Sequence, residues 1–202
     1  MRIATWNVNS LSVRLPQVLE WLAANPVDVL GLQELKLTDD KFPHEALAEA
    51  GYQAVAFGQK TYNGVALLSR GELKDVVRAN PQFADEQSRI IAGTVASPAG
   101  DIRVINCYFV NGQEPGSDKF AYKLRWLTGL EAYVKAEMAL HPRLVLVGDF
   151  NVAPEDRDSY DPDGLRDTIH HTKEERDAFQ GLLALGLSAL LWGVVAWAVQ
   201  QP

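Results

Sequence analysis

The chain has 202 residues, 47% hydrophobic and 22% charged; that composition suits one soluble folded domain with a sizeable core and excludes a disordered or fibrous chain. Its formal net charge of −7 argues against a protein that holds nucleic acid by bulk positive charge. It leaves room for a local basic patch, because metal-binding carboxylates add negative charge of their own.

A single cysteine, Cys107, forbids an internal disulfide framework and favours a reducing compartment, the cytoplasm. No charged segment ahead of an apolar run marks a secretory leader. In chain order, residues 2–8 (RIATWNV) read as a first strand. Val13, Val18, Leu19, Trp21 and Leu22 have helical spacing over 12–24, with Ser12 as N-cap. A second strand over 27–32 ends at Gln33 and Glu34, and a helix is predicted over 39–50, closed by Gly51. Short strands follow at 52–57, 64–69, 73–78, 89–96 and 102–110, the last two joined by a hairpin turn at Pro98, Gly100 and Asp101. The longest helical pattern covers 117–140 and stops at His141 and Pro142. RLVLVGDFN, 143–151, is a continuous apolar run of the kind seen in a buried strand. A polar loop over 152–171 leads to a charged helix start at Thr172, Glu174 and Glu175. Strands outnumber helices and mostly follow one another, which predicts a mixed-sheet α/β protein with packing helices, not strict alternation.

Residues 181–199 carry no charge and include Trp192 and Trp197. By length the run meets the threshold for a membrane span; a buried core helix is a second reading. The reading favoured here is an atypical apolar ending, 188–202, on an otherwise ordinary domain, 1–187, with no membrane partner. On that reading Trp192 and Trp197 stand apart from the main core.

Polar residues recur where apolar strands end: Asn7 and Asn9, Glu34, Tyr108 and Asn111, Asp149 and Asn151. Adjacent strand ends converge in a layered sheet protein, so these residues can meet in one cleft. Asp149 and Asn151, two apart on an extended chain, would point the same way. A carboxylate at the end of a buried run needs a partner or a metal; magnesium, with manganese as the alternative, prefers oxygen ligands and often uses one or two carboxylates plus a substrate phosphate. Cations stand nearby in sequence: Lys36, Lys60, Arg89, Lys119, Lys123 and Arg125. Each feature alone has a bland reading, as a turn former, a solvated strand end or a solvated helix face.

Taken together, ATWNVNSLSVRLPQVLEWL, DVLGLQELK, YNGVALLSR, RIIAGTV, INCYFVNGQ, KFAYKLRWL and LVLVGDFNVAPEDRD resemble the exonuclease III and abasic-site endonuclease family, within the endonuclease–exonuclease–phosphatase group, over residues 1–187. The resemblance implies a four-layer α/β sandwich: two packed mixed β-sheets flanked by helices, here C-terminally incomplete. It implies that Glu34 binds the metal with Asn7 beside it. Asp149 would orient or deprotonate the attacking water, and Asn151 and Tyr108 would approach the scissile phosphate. Asn9, Lys36, Asn63, Arg89 and Asn111 make up the expected substrate-binding set. The implied partner is double-stranded DNA with abasic sites or 3′ ends, met by a monomer in DNA repair.

The resemblance also implies a further aspartate and a closing aspartate–histidine pair. No Asp or Glu follows Asp177, and the only histidines are His44, His141, His170 and His171. Loss of members of such a constellation costs orders of magnitude in rate, so the resemblance carries the further expectation that this chain is inactive or poorly folded. Two alternatives follow: a same-fold RNA nuclease or small-molecule phosphatase, and a degenerate relative that binds nucleic acid without cutting.

Overall fold

The computed structural model describes residues 1–187; the atypical ending at 188–202, with Trp192 and Trp197, lies outside the described residues. The elements run β1 (Ile3–Asn7), α1 (Leu11–Ala24), β2 (Val29–Gln33), α2 (His44–Glu49), β3 (Gln53–Phe57), β4 (Val65–Ser69), β5 (Lys74–Arg78), β6 (Ile90–Val95), β7 (Ile102–Tyr108), α3 (Asp118–Leu140), β8 (Leu144–Asp149) and α4 (Lys173–Ala184). They build two four-stranded sheets, ordered β1-β2-β4-β3 and β5-β6-β7-β8. Each sheet is mixed, with one parallel pair, β1–β2 and β7–β8, and antiparallel pairs elsewhere.

Side-chain alternation explains the four layers. In β2, β4 and β7 successive side chains point to opposite faces, and both faces are covered, so these strands read as continuous apolar runs. Val29, Val65, Leu67, Ile91, Val95 and Val104 fill the space between the sheets. The other face of the first sheet (Leu30, Leu32, Ala66, Leu68) packs on α1 and α2 through Leu11, Val18, Leu22 and Leu47. The outer face of the second (Ile90, Ala92, Ile105, Cys107) packs on α3 and α4 through Trp126, Leu130, Val134 and Leu182. The four-layer sandwich expected from sequence is therefore present.

Polar groups interrupt the inner layer near one end. Asn106 is fully buried, and its side-chain nitrogen donates to the carbonyls of Leu32 (2.9 Å) and Ala66 (2.8 Å) in the opposite sheet. Its oxygen accepts from Gln33 Nε2 at 2.6 Å, and Gln33 also donates to Thr5 at 2.8 Å. Gly31 makes room for this crossing, since a Cβ there would lie 3.0 Å from the Asn106 side chain.

Three local expectations are corrected. Helix α1 starts at Leu11, so Ser12 lies inside it; Ser10 occupies the N-cap position without a side-chain cap bond. The predicted helix 39–50 breaks into a short 3₁₀ turn, Asp39–Lys41, and α2, because Pro43 cannot donate to the intervening turn. The run 143–151 forms β8 only to Asp149. That strand lies at the end of its sheet among the described residues and is largely half-buried. Thr172 does cap α4: its hydroxyl accepts from the Glu175 N–H, and the Glu175 side chain returns a bond to the Thr172 N–H, a capping box. Among the described residues no helix is long and apolar enough to cross a membrane.

Candidate active site

Register brings the polar strand ends together. Asn7 pairs with Gln33 at the end of β1–β2, and Tyr108 pairs with Asp149 at the end of β7–β8. Both pairs are parallel, so four C-terminal strand ends face one opening. Asn7 continues the inner-facing parity of Ile3, and Tyr108 and Asp149 continue that of Val104 and Val147. Packing the two sheets face to face then closes the gap between Asn7 and Asp149.

At the centre, Asn7 Nδ2 donates to Glu34 Oε1 at 2.7 Å and to Asp149 Oδ2 at 2.8 Å. The backbone N–H of Asn9 donates to Asn7 Oδ1 at 3.0 Å, which fixes the amide with its nitrogen toward the carboxylates. Lys36 Nζ lies 2.9 Å from Glu34 Oε2 and also bonds the Asn9 side chain. Burial pushes the Glu34 carboxyl up, but hydrogen bonds from Asn7, Lys36 and Tyr108 and the Lys36 charge outweigh it, so the group titrates below its ordinary value. Burial and then the facing Glu34 carboxylate push the Tyr108 hydroxyl well above its ordinary value. At neutral pH Tyr108 is therefore a proton donor in hydrogen bonds and not a base.

The chain reaches these positions through left-handed backbone at Asn9, Glu34, Lys36, Asn63 and Asn151 (φ 44, 55, 54, 56 and 45), conformations that cost energy for a residue with a Cβ and gather at functional sites. Backbone bonds hold the Glu34 turn: the N–H of Ser10 donates to the Glu34 carbonyl at 2.8 Å, and that of Lys36 to the Asn63 carbonyl at 3.0 Å. Asn151 is not carried by a continuing strand, as the two-residue spacing suggested. Its N–H donates to Asp149 Oδ1 at 3.2 Å and its side-chain nitrogen to the Phe109 carbonyl at 3.0 Å. Asp149 therefore does both things considered for it: one oxygen closes its own turn and the other faces Asn7.

The remaining expected residues divide. Asn9 and Lys36 sit beside Glu34. Asn63 is buried and donates to Gln59 Oε1 at 2.9 Å. Arg89 is buried, lies 4.9 Å from the Tyr108 ring centroid, and donates through Nη1 to the Tyr108 and Phe109 carbonyls at 3.1 and 3.3 Å and through Nε to Gln87 at 2.7 Å. Exposed Asn111 meets His170, 3.1 Å from Nδ2 to Nε2. Lys60, Lys119 and Arg125 are exposed. Lys123 is neither a free cation nor a solvated helix residue: it is fully buried and paired with Glu175. That pair escaped the sequence reading, although Lys123 shares the stripe of Trp126, Leu127, Leu130 and Val134 on α3 and Glu175 closes a capping box.

Among the described residues no three His, Cys, Asp or Glu side chains gather as a metal site. Glu34 and Asp149 share the donor Asn7, and two carboxylates fit a cation that completes its shell with water and phosphate oxygens. Asn7 turns its nitrogen, which cannot ligate, toward this point.

The sequence model described as the Endonuclease/Exonuclease/phosphatase family matches residues 4–198. An exodeoxyribonuclease III from Haemophilus influenzae is 34% identical over 160 residues, 78% of this chain and 60% of the relative. The chain thus spans less than two thirds of that relative's length. The structure of the 3′ phosphatase NExo from Neisseria, bound to a product DNA hairpin, superposes with a TM-score of 0.90 at 52% identity, covering 93% of this chain and 72% of that one. An AP endonuclease from Archaeoglobus fulgidus superposes with a TM-score of 0.86 at 36% identity, covering 92% and 70%.

Proposed function

The chain belongs to the Endonuclease/Exonuclease/phosphatase family, in its exonuclease III and abasic-site endonuclease branch, and on that premise we propose that it hydrolyses DNA phosphodiesters with a divalent cation, magnesium or manganese. The proposed reactions are 3′-to-5′ removal of nucleotides, incision beside abasic sites and removal of 3′ blocking groups, carried out by a domain covering 1–187. The observation that supports this most is the joining of Glu34 and Asp149, from different sheets, by the single amide of Asn7.

In this reading Glu34, with Asp149, would hold the cation. When bound, it neutralises charge developing on the phosphate and leaving oxygens. Asp149 accepts a hydrogen bond from the attacking water and directs it at phosphorus; its own orientation is fixed by Asn7 and by the Asn151 N–H. Tyr108, held protonated, donates to a non-bridging or leaving oxygen, and Asn151 donates to a phosphate oxygen. Neutral donors at these two places stabilise the developing charge without ionising. Lys36 balances Glu34 until substrate and cation arrive.

One observation favours a 3′-end substrate over an internal abasic site. The solved relative named a 3′ phosphatase is 52% identical to this chain, whereas the one named an AP endonuclease is 36% identical. The test is a parallel assay of the full chain on a 3′-phosphate duplex, a recessed 3′-hydroxyl duplex, an abasic-site duplex and an RNA of the same sequence, with magnesium, with manganese and with chelator. Cation-dependent release, fastest on the 3′-phosphate, is expected. Equal rates with and without chelator, or cleavage of RNA alone, would overturn the proposal.

A further inference from the structure

Resting on the nuclease reading above, we infer that Lys123 is a positioning residue: its buried ammonium fixes the two loops that carry Asn111 and Asn151 toward substrate. Lys123 leaves the first turns of α3 and is fully buried. Its Nζ donates to the backbone carbonyl of Asn151 at 2.7 Å and to that of Asn111 at 3.1 Å, and pairs with the Glu175 carboxylate. One ammonium thus makes three bonds, one to the segment after β7, one to the segment after β8 and one to the first turn of α4.

The surroundings are shaped for it. Gly112, at φ +93, lets the lysine stem pass, since a Cβ there would lie 2.9 Å from Lys123 Cδ. The other Glu175 oxygen accepts from the Thr172 hydroxyl at 2.8 Å and from its N–H at 3.1 Å. That anchors the carboxylate before it meets lysine. Burial pulls the Lys123 ammonium below its ordinary value, while Glu175 and, more distantly, Asp149 hold it up.

Stability alone does not account for such a pair. A buried ion pair replaced by apolar groups of similar volume is often neutral or stabilising, whereas removing one partner is strongly destabilising. What apolar side chains cannot supply is direction: three donors aimed at two loop carbonyls and a carboxylate. Those loops hold groups that must be placed to within a fraction of an ångström to serve a reacting phosphate.

The full chain carrying Lys123→Met together with Glu175→Leu tests this, with thermal unfolding, amide hydrogen exchange and hydrolysis of a 3′-phosphate duplex measured on each protein. Lys123→Met alone should lower the melting temperature, and the double variant should recover most of that loss. In the recovered double variant, exchange over 109–113 and 149–153 should still be roughly tenfold faster than wild type, with β1 and β2 unchanged, and kcat should fall by at least about tenfold with little change in KM. Lys123→Met with Glu175→Gln removes both charges while leaving an oxygen that accepts from Thr172, and should show the same faster exchange over these loops and the same fall in kcat. Wild-type exchange and kcat in either double variant of restored stability would overturn the inference. If the Met/Leu double variant fails to fold, the Met/Gln double variant decides. A wild-type chain that hydrolyses no DNA sinks the nuclease reading and not this one, which the exchange data then decide.

Discussion

Glu34 and Asp149 accept hydrogen bonds from the same nitrogen, the side-chain amide of Asn7. Two carboxylates from different sheets are thus held together by a neutral donor whose other end is fixed by the Asn9 N–H.

Asn7→Asp replaces that donor with a third carboxylate. Like charge at this distance disfavours ionisation, so Glu34, now below its ordinary value, should titrate upward. Carbon-13 detected titration of the Glu34 carboxyl reads this directly; an unchanged midpoint would show that the Asn7 bond does not set its charge.

Gly148 has φ +152, and a Cβ on it would meet the Cys107 carbonyl oxygen at 1.9 Å. That overlap is with backbone of the paired strand and cannot be relieved by a rotamer. Gly148→Ala should separate β7 from β8 at the site and cost at least about 3 kcal/mol in urea unfolding. A loss below about 1 kcal/mol would mean the ladder yields there.

Asn106→Leu removes the link between the sheets and leaves the Leu32 and Ala66 carbonyls and Gln33 Nε2 without their partner. Unsatisfied buried polar groups cost on the order of 1–3 kcal/mol each, partly recovered by the apolar side chain. A net loss of about 2–4 kcal/mol is expected at the urea midpoint, against none if the carbonyls find water.

His170 should make stability depend on pH. Burial, then the Lys123 charge, lowers it from the ordinary 6.5, with Glu175 and Asp149 opposing. The unfolded chain therefore binds the proton first as pH falls, and stability is lost from about pH 7 downward through the folded value. The Asn111 nitrogen facing Nε2 fits the same neutral ring, with Nε2 as acceptor. His170→Gln should flatten the slope of unfolding free energy between about pH 7 and pH 5.5; an unaltered slope would assign it to other groups.

Much of this was legible in the sequence because parity carries far. Strands buried on both faces betray themselves as apolar runs, and the polar residues closing them, Asn7, Glu34, Tyr108 and Asp149, do converge. What sequence alone misjudged depended on contacts between distant segments. Lys123 looked like a solvated helix residue until Glu175 was placed against it. Nothing local in the sequence showed that Arg89, read as a cation near a strand end, bonds the Tyr108 and Phe109 carbonyls. Asn151 was placed by extended-chain spacing, whereas a left-handed turn puts it where it is. The 143–151 run read as fully buried because hydrophobicity does not reveal a strand's place in its sheet order.

The central claim is that Glu34 and Asp149 act as one hydrolytic unit on DNA. Single-turnover hydrolysis of a 3′-phosphate duplex in magnesium, by the full chain and by Glu34→Gln, Asp149→Asn and the double variant, tests it most directly. Each single change should slow hydrolysis by at least about a hundredfold, and the double by little more than the worse single, because residues that act together are not additive. Singles within about threefold of wild type, or a double whose loss is the product of the two singles, would contradict the account.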